Sequence, residues 1–468
     1  MFKYLWNKKT DSALEDGALY AFDKKTAYFF VALALPLLFI PKINLISFTG
    51  RETAGIRWDD IFLLFFALFL FWGHIATQKK LTNIEKTLFS VTVFSGFSFL
   101  INRFLVHIGH LHVDANILYA GRIFEYFLFF YIGYYARRFF DVDRIIVAMF
   151  SLNFFLMIFQ RWGYIGYWSQ FGYEPLCTYR CGGIASFPSE MGMLLNFFFC
   201  YLLYIPEKII PISLKKYFNE SLSEMIGSFI LFVVFAYLLM INGSRIAFGA
   251  HLVLYFIYTF EMIRKKFTRR SSLLFFGAFV LFLPLQSLVM QESTLFKRSL
   301  NLFSEKNFLL IQKVWDIIDV RYVPIGKEAV KHDANNEDTS WWMRVHKWVY
   351  AVKIYVTHPE SYLQGIGPGF AMAGLDGGII RIFVEYGLIG FCLYLLLFYY
   401  IAVSSPVLNK CILAFFINMC FFDVYLAYKP MALLFFLTGY VYVKNISLRK
   451  KRENPAGEID FDKKVLSH

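Results

Sequence analysis

Apolar residues recur along the chain in long runs separated by short polar stretches. The runs fall near 26–41, 58–76, 88–106, 117–136, 144–162, 186–204, 225–241, 246–263, 272–290, 379–402, 411–427 and 430–443. Each approaches the ~20 residues that carry a helix across a bilayer. In lipid, only a helix satisfies its own backbone bonds over such a length. The pattern predicts an all-α polytopic transmembrane helix bundle of about twelve spans. It divides into an N-terminal segment 1–25, a bundle 26–290, a long loop 291–378 containing helices, three last spans in 379–443 and a tail 444–468.

Composition strengthens this reading. Of the 468 residues, 58% are hydrophobic, 21% are aromatic, 57 are Phe, and only 17% are charged. A soluble surface could not hide so much apolar side chain, and the same numbers exclude disorder. The net charge of +13 fits cationic cytoplasmic loops better than nucleic-acid binding. Lys and Arg gather in alternate loops, for instance Lys79 and Lys80, Arg137 and Arg138, and Arg264 to Lys266. That alternation predicts both termini in the cytoplasm and the 291–378 loop outside.

Candidate chemistry lies on the outer side. Arg180, Arg245, Arg344 and Arg381 stand where positive charge is disfavoured, so each needs a reason. Guanidinium forks bind phosphate oxygens, but they also snorkel or pair with nearby carboxylates. Arg122 and Glu125, at helical spacing three, read as a helix tie. Asp423, six residues before Lys429 in an apolar run, reads equally as a tie or a functional acid. His107, His110, His112 and Asp114 match no standard zinc spacing. Cys177 and Cys181 flank Arg180 at a spacing that permits a disulfide. The aromatic loop 162–185 suits either sugar stacking or an interfacial belt.

Three segments carry a family resemblance. They are WWMRVHKW with THPESYLQGIGPGF and LDGGIIRIFVEYGLIGF at 341–391, RCGGIASFPSEMG at 180–192, and NGSR at 242–245. Together with the layout of spans they resemble the O-antigen polymerase and O-antigen ligase superfamily of envelope glycosyltransferases. Ligases carry a His eleven residues before the Gly of Glu-x-Gly-Leu, where this chain has Asp376. The departure favours a polymerase over a ligase.

The resemblance implies a bacterial inner-membrane enzyme with its site facing the periplasm. The donor would be a glycan on undecaprenyl pyrophosphate and the acceptor a hydroxyl of a second lipid-linked unit. Arg180, Arg245 and Arg344 would stabilise the pyrophosphate. Asp376 or Glu190 would take the acceptor proton, with His346 and His358 as weaker candidates. Arg381, Trp341, Trp342 and the two histidines would contact substrate. No metal, nucleotide or other cofactor is expected. Expected partners are the lipid-linked oligosaccharide, membrane lipids and a protein that sets chain length, and no nucleic acid. A lipid-linked oligosaccharide transporter is the alternative from another class.

Overall fold

The computed structural model describes residues 24–40, 44–47, 55–77, 81–102, 104, 113–169, 172–174, 180–204, 220–266, 305–318, 339–370 and 375–453. Helices dominate it. In chain order they are α1 (Lys24–Ala34), α2 (Trp58–Thr77), α3 (Asn83–Ile101), α4 (Val113–Phe139), α5 (Val142–Arg161), α6 (Pro188–Leu203) and α7 (Glu220–Asn242). They continue with α8 (Arg245–Lys266), α9 (Glu305–Ile317), α10 (Thr339–Thr357), α11 (Gly378–Val403), α12 (Pro406–Met419) and α13 (Tyr428–Glu453). Two short antiparallel hairpins depart from the all-α expectation, β1 (Asn44–Ser47) with β2 (Gly55–Arg57), and β3 (Tyr167–Ser169) with β4 (Gly172–Glu174). The second lies in the aromatic loop.

Every predicted apolar run meets a helix except 272–290, which lies outside the described residues. Among the described residues three helices, α3, α5 and α11, are long and apolar enough to span a membrane by length and composition. Shorter apolar helices occupy Lys25–Leu38, Asp60–Ile75, Ile226–Asn242 and Pro406–Met419. The run at 411–427 is the clearest correction. Its helix starts earlier, with Ser405 capping Val407 and Pro406 in the first turn, and stops at Met419. A single 3-10 turn at Val424–Leu426 follows, with Asp423 in the break before it. The last helix continues past 443 to Glu453.

Local chemistry sets several of these boundaries. Thr82 and Glu85 form a reciprocal capping box that starts α3, satisfying two orphan backbone donors. The most extensive helix pair is α4 with α13. Gly133 faces the backbone of Phe436 and Gly439 faces that of Phe130, so a Cβ on either would meet main chain. Small residues that let backbones approach are the packing device of helices in lipid. A separate apolar cluster joins α9, α10 and the start of α11 through Leu310, Val314, Trp342, Val349 and Val384. Lys353 closes the end of α9 by donating to the carbonyls of Trp315 and Ile318, both at 2.6 Å.

Candidate functional site

The site begins in the four residues Leu375 to Gly378, where α11 starts. Their path is narrow. A Cβ on Gly377 would strike the Trp348 indole, and one on Gly378 would strike Met419 and the Phe422 carbonyl. Between the glycines and Leu375, Asp376 adopts a left-handed φ of 57°, a conformation that side chains other than Gly seldom take. The reason is visible beneath it. The Asp423 carboxylate accepts the N–H groups of Leu375 (2.8 Å), Asp376 (3.3 Å) and Gly377 (3.0 Å). Three successive N–H groups aimed at one anion make a backbone nest. Trp348 donates its indole N–H to the Leu375 carbonyl at 3.1 Å, which fixes the other side.

Arg381, one turn into α11, completes the lock. It is 1% exposed. Its Nε donates to Glu385 at 2.9 Å and its Nη1 to Asp423 at 2.9 Å. The guanidinium also lies 5.3 Å from the Tyr119 ring centroid. Glu385 accepts a further bond from the Tyr425 hydroxyl at 2.8 Å. A guanidinium held between two buried carboxylates has its fork occupied, so Arg381 ties the site together and does not present itself to a substrate. Of the two readings of Asp423, the tie holds, but to Arg381 and not to Lys429. Lys429 instead donates from Nζ to the Leu37 carbonyl at 2.7 Å.

Above this lock, the Asp376 side chain is about a third exposed, at 37%, and the Arg344 Nε stands 4.0 Å from its carboxylate. Burial pushes the Asp376 carboxyl above the ordinary carboxylate value, and the Arg344 and Lys347 charges oppose that rise. A carboxylate that can take a proton therefore sits beside a cation that can hold an anion.

The Glu-x-Gly-Leu element just below owes its glycine to a break in α11. Gly387 has φ 61° and ψ −167° inside the helix. The 362–367 segment inserts there and takes over the interrupted bonds. Leu388 and Ile389 donate to the carbonyls of Tyr362 (2.9 Å) and Leu363 (3.1 Å), while Ile366 and Gly367 donate to those of Val384 and Glu385, both at 2.9 Å. Gly365, at φ 79°, lies against the Glu385 carbonyl, where no Cβ would fit. The two glycines of the family-like motifs thus require each other.

Arg180 and Arg245 belong to a second group. Arg180 donates to the Gly243 carbonyl at 3.2 Å and is exposed. Its neighbour Cys181 donates its N–H to the Ile241 carbonyl and accepts from the Asn242 side-chain amide. The 180–185 loop is thereby fastened to the turn from which Arg245 opens α8. Gly192 of α6 packs on Asn242 and Ser244 of the same turn. The 423–429 segment links the nest to α6. Asp423 holds the nest at one end, and at the other the Lys429 N–H donates to Glu190 at 2.9 Å.

That bond occupies one carboxylate oxygen of Glu190, the alternative candidate for the base. Its second oxygen accepts the Ser186 N–H at 3.1 Å, and the side chain is buried. With both oxygens on backbone donors it fastens α6 to α13. His358 is likewise structural: its Nδ1 lies 2.8 Å from the Ile354 carbonyl at the end of α10. His346 is buried, with Nδ1 2.9 Å from the Trp342 carbonyl. Trp342 is buried in the cluster under α10, while Trp341 is half-buried and meets Trp348 edge-on at 5.7 Å. Trp341 is the less buried of the two.

Arg122 and Glu125 form the expected tie at 2.6 Å, widened by Arg57 and Asp60 into a four-membered cluster. His107, His110, His112 and Cys177 lie outside the described residues, as does the Asp114 side chain. Among the described residues no group of three His, Cys, Asp or Glu could hold a metal. Sequence reasoning missed Tyr119 and Tyr425, for which no local signal exists, and it noted Trp348, within WWMRVHKW, and Asp423 without their partners. No family model matches the chain, and no curated protein matches it.

Proposed function

We propose that the protein is a membrane glycosyltransferase. It transfers a glycan from undecaprenyl pyrophosphate to a sugar hydroxyl of a second lipid-linked unit at the periplasmic face of the inner membrane. The observation that carries this reading is Asp376 beside Arg344 on a backbone locked by Asp423. Asp376 takes the acceptor proton as the hydroxyl oxygen bonds to the anomeric carbon. The bond from that carbon to the pyrophosphate oxygen breaks, and undecaprenyl pyrophosphate leaves with the electron pair. Arg344 stabilises the growing negative charge, and Arg180 and Arg245 hold the donor or acceptor from the neighbouring group. A preorganised donor of this kind is worth roughly 3–4 kcal/mol, and a positioned base about 10²–10⁴-fold in rate.

One observation favours a transporter instead. The break at Gly387 resembles the discontinuous helices that carriers use at their binding sites. In this chain, however, the interrupted backbone bonds go to the 362–367 segment, so that backbone is engaged by protein and not offered to a cargo. The glycan profile of a deletion strain separates the readings. A polymerase leaves a single repeat unit on lipid A and removes the ladder. A ligase removes every repeat unit from lipid A, and a transporter leaves lipid-linked units facing the cytoplasm.

A further inference from the structure

The insertion at Gly387 has a depth. From Leu388, α11 continues sixteen residues to Val403, about 24 Å at 1.5 Å per residue. On the other flank, α3 runs antiparallel to it, with Phe94 under Gly390. Its Ser98 hydroxyl donates to the Gln364 carbonyl at 2.7 Å and its Asn102 amide to the Gly365 carbonyl at 3.1 Å. Asn83 to Ser98 is again sixteen residues, about 24 Å. Two helices of membrane-crossing length and composition thus set the 362–366 segment at one height. That height falls short of the ~30 Å hydrocarbon thickness, and tilt would lower it further.

The surface at this height is apolar. Leu363 is 56% exposed, and Tyr362, Leu388, Ile389, Phe97 and Leu100 are also exposed. Glu360, at the turn after α10, is exposed beside them. From these observations we propose that residues 358–367 form a re-entrant wedge in the bilayer leaflet on the α10 side. Leu363, Leu388 and Ile389 face acyl chains, and Glu360 reaches the headgroups. Non-helical backbone is tolerated at such depth only where protein satisfies it, and the Ser98, Asn102 and α11 bonds do so. The partner of this surface is the lipid itself. Gly378 to Gly387, ten residues or about 15 Å, then carries Asp376 and Arg344 up to the water-facing edge of the headgroup layer.

The test uses the full wild-type chain in nanodiscs of phosphatidylethanolamine and phosphatidylglycerol. After hydroxyl-radical footprinting, rates are divided by each side chain's intrinsic reactivity. Tyr362 and Leu363 are expected to oxidise severalfold more slowly than Met343, which is exposed at the far end of α10. Equal rates overturn the wedge. A spin label at Leu363→Cys, with Met343→Cys as reference, gives the second measurement. Collision with oxygen but not with a water-soluble nickel chelate supports burial in lipid. Collision with the chelate places the segment in water. Protection from both reagents means that a second protein covers it. Either of the last two outcomes overturns the proposal.

Discussion

Two charged clusters lie inside this bundle, and they are built on different arithmetic. In one, Arg57 and Arg122 face Asp60 and Glu125, two cations against two carboxylates. In the other, Arg381 faces both Glu385 and Asp423, one cation against two carboxylates. The balanced cluster neutralises itself and ties the start of α2 to α4. The unbalanced one meets its excess charge with dipoles, namely three backbone N–H groups and the Tyr425 hydroxyl. Charge left over from pairing thereby fixes the backbone of Asp376. A buried ion pair is weak evidence for stability because desolvation opposes the Coulomb gain. A buried carboxylate that organises a loop has a clearer purpose.

Paired replacement breaks this comparison most sharply. Arg122→Met with Glu125→Leu removes one ion pair and leaves Arg57 with Asp60, so the change in stability is expected to be small. Arg381→Met with Asp423→Leu orphans the three nest donors and Glu385. Uncompensated groups of that kind cost roughly 3–5 kcal/mol. Thermal unfolding in detergent, read by tryptophan fluorescence, should show a large drop for the second pair only. Equal drops would mean that the nest contributes no more than an ordinary tie.

Gly387→Ala comes next. The left-handed φ costs a side chain roughly 1–2 kcal/mol, and the added Cβ meets the backbone of Leu363 and Gly365. Gly96→Ala in α3 is the matched control, since nothing lies near its Cβ. Alanine there should hold or raise stability, because Gly weakens a helix interior by about 1 kcal/mol. If both variants unfold at the wild-type temperature, the 362–367 insertion does not constrain α11.

The difference between the clusters also explains how much could be read in advance. The Arg122–Glu125 tie was legible because its partners are three residues apart on one helix. So was the Arg381–Glu385 half of the second cluster, at spacing four. Asp423 stood out as an acid in an apolar run, but its partners lie more than forty residues away. The nearer Lys429 was a natural choice only while 411–427 read as one continuous helix. Hydropathy cannot register the break, because Phe421, Phe422, Val424 and Leu426 are apolar whatever backbone they occupy. The engagement of Glu190 was hidden for a similar reason. Its partner is the main chain of Lys429, and a backbone donor leaves no mark in side-chain pattern. Gly387 was legible as a motif, whereas its need for Gly365 was not.

A smaller effect separates the exposed Arg180 and the half-buried Arg245 and Arg344 from the fully buried Arg381. Arg344→Lys, Arg180→Lys and Arg245→Lys keep the charge but lose the planar fork. Under the proposed function each is expected to lower polymer formation by about an order of magnitude, or ~1.4 kcal/mol, with the unfolding temperature unchanged. Arg381→Lys should instead lower stability, because Lys cannot bridge Glu385 and Asp423 through a fixed fork. Arg144→Lys, at an exposed residue paired with the half-buried Asp141, serves as the silent control. Normal-length polymer from the Arg180, Arg245 and Arg344 variants in a complementation gel would remove pyrophosphate binding from their role.

The smallest effect is a dependence on pH, and it has opposite signs for stability and activity. Burial raises the Asp376 carboxyl above its ordinary value of 3.8, in spite of Arg344 and Lys347. The folded protein therefore binds a proton that the unfolded chain has already released at pH values just above 3.8. This favours folding below 3.8 and is lost as pH rises through the raised value, so the contribution of Asp376 to stability falls across that window. A general base works only once it has lost its proton. Under the proposed function, polymer formation by the purified protein should therefore rise across the same window. Asp376→Asn removes the titration, flattening the stability slope that this group adds and abolishing the acid limb of activity. The nest beneath, made of backbone N–H groups and Asp423, is untouched by that substitution, so the fold should persist. If the wild type and Asp376→Asn have superimposable pH–activity profiles, the residue held in place by the unbalanced cluster is not the base.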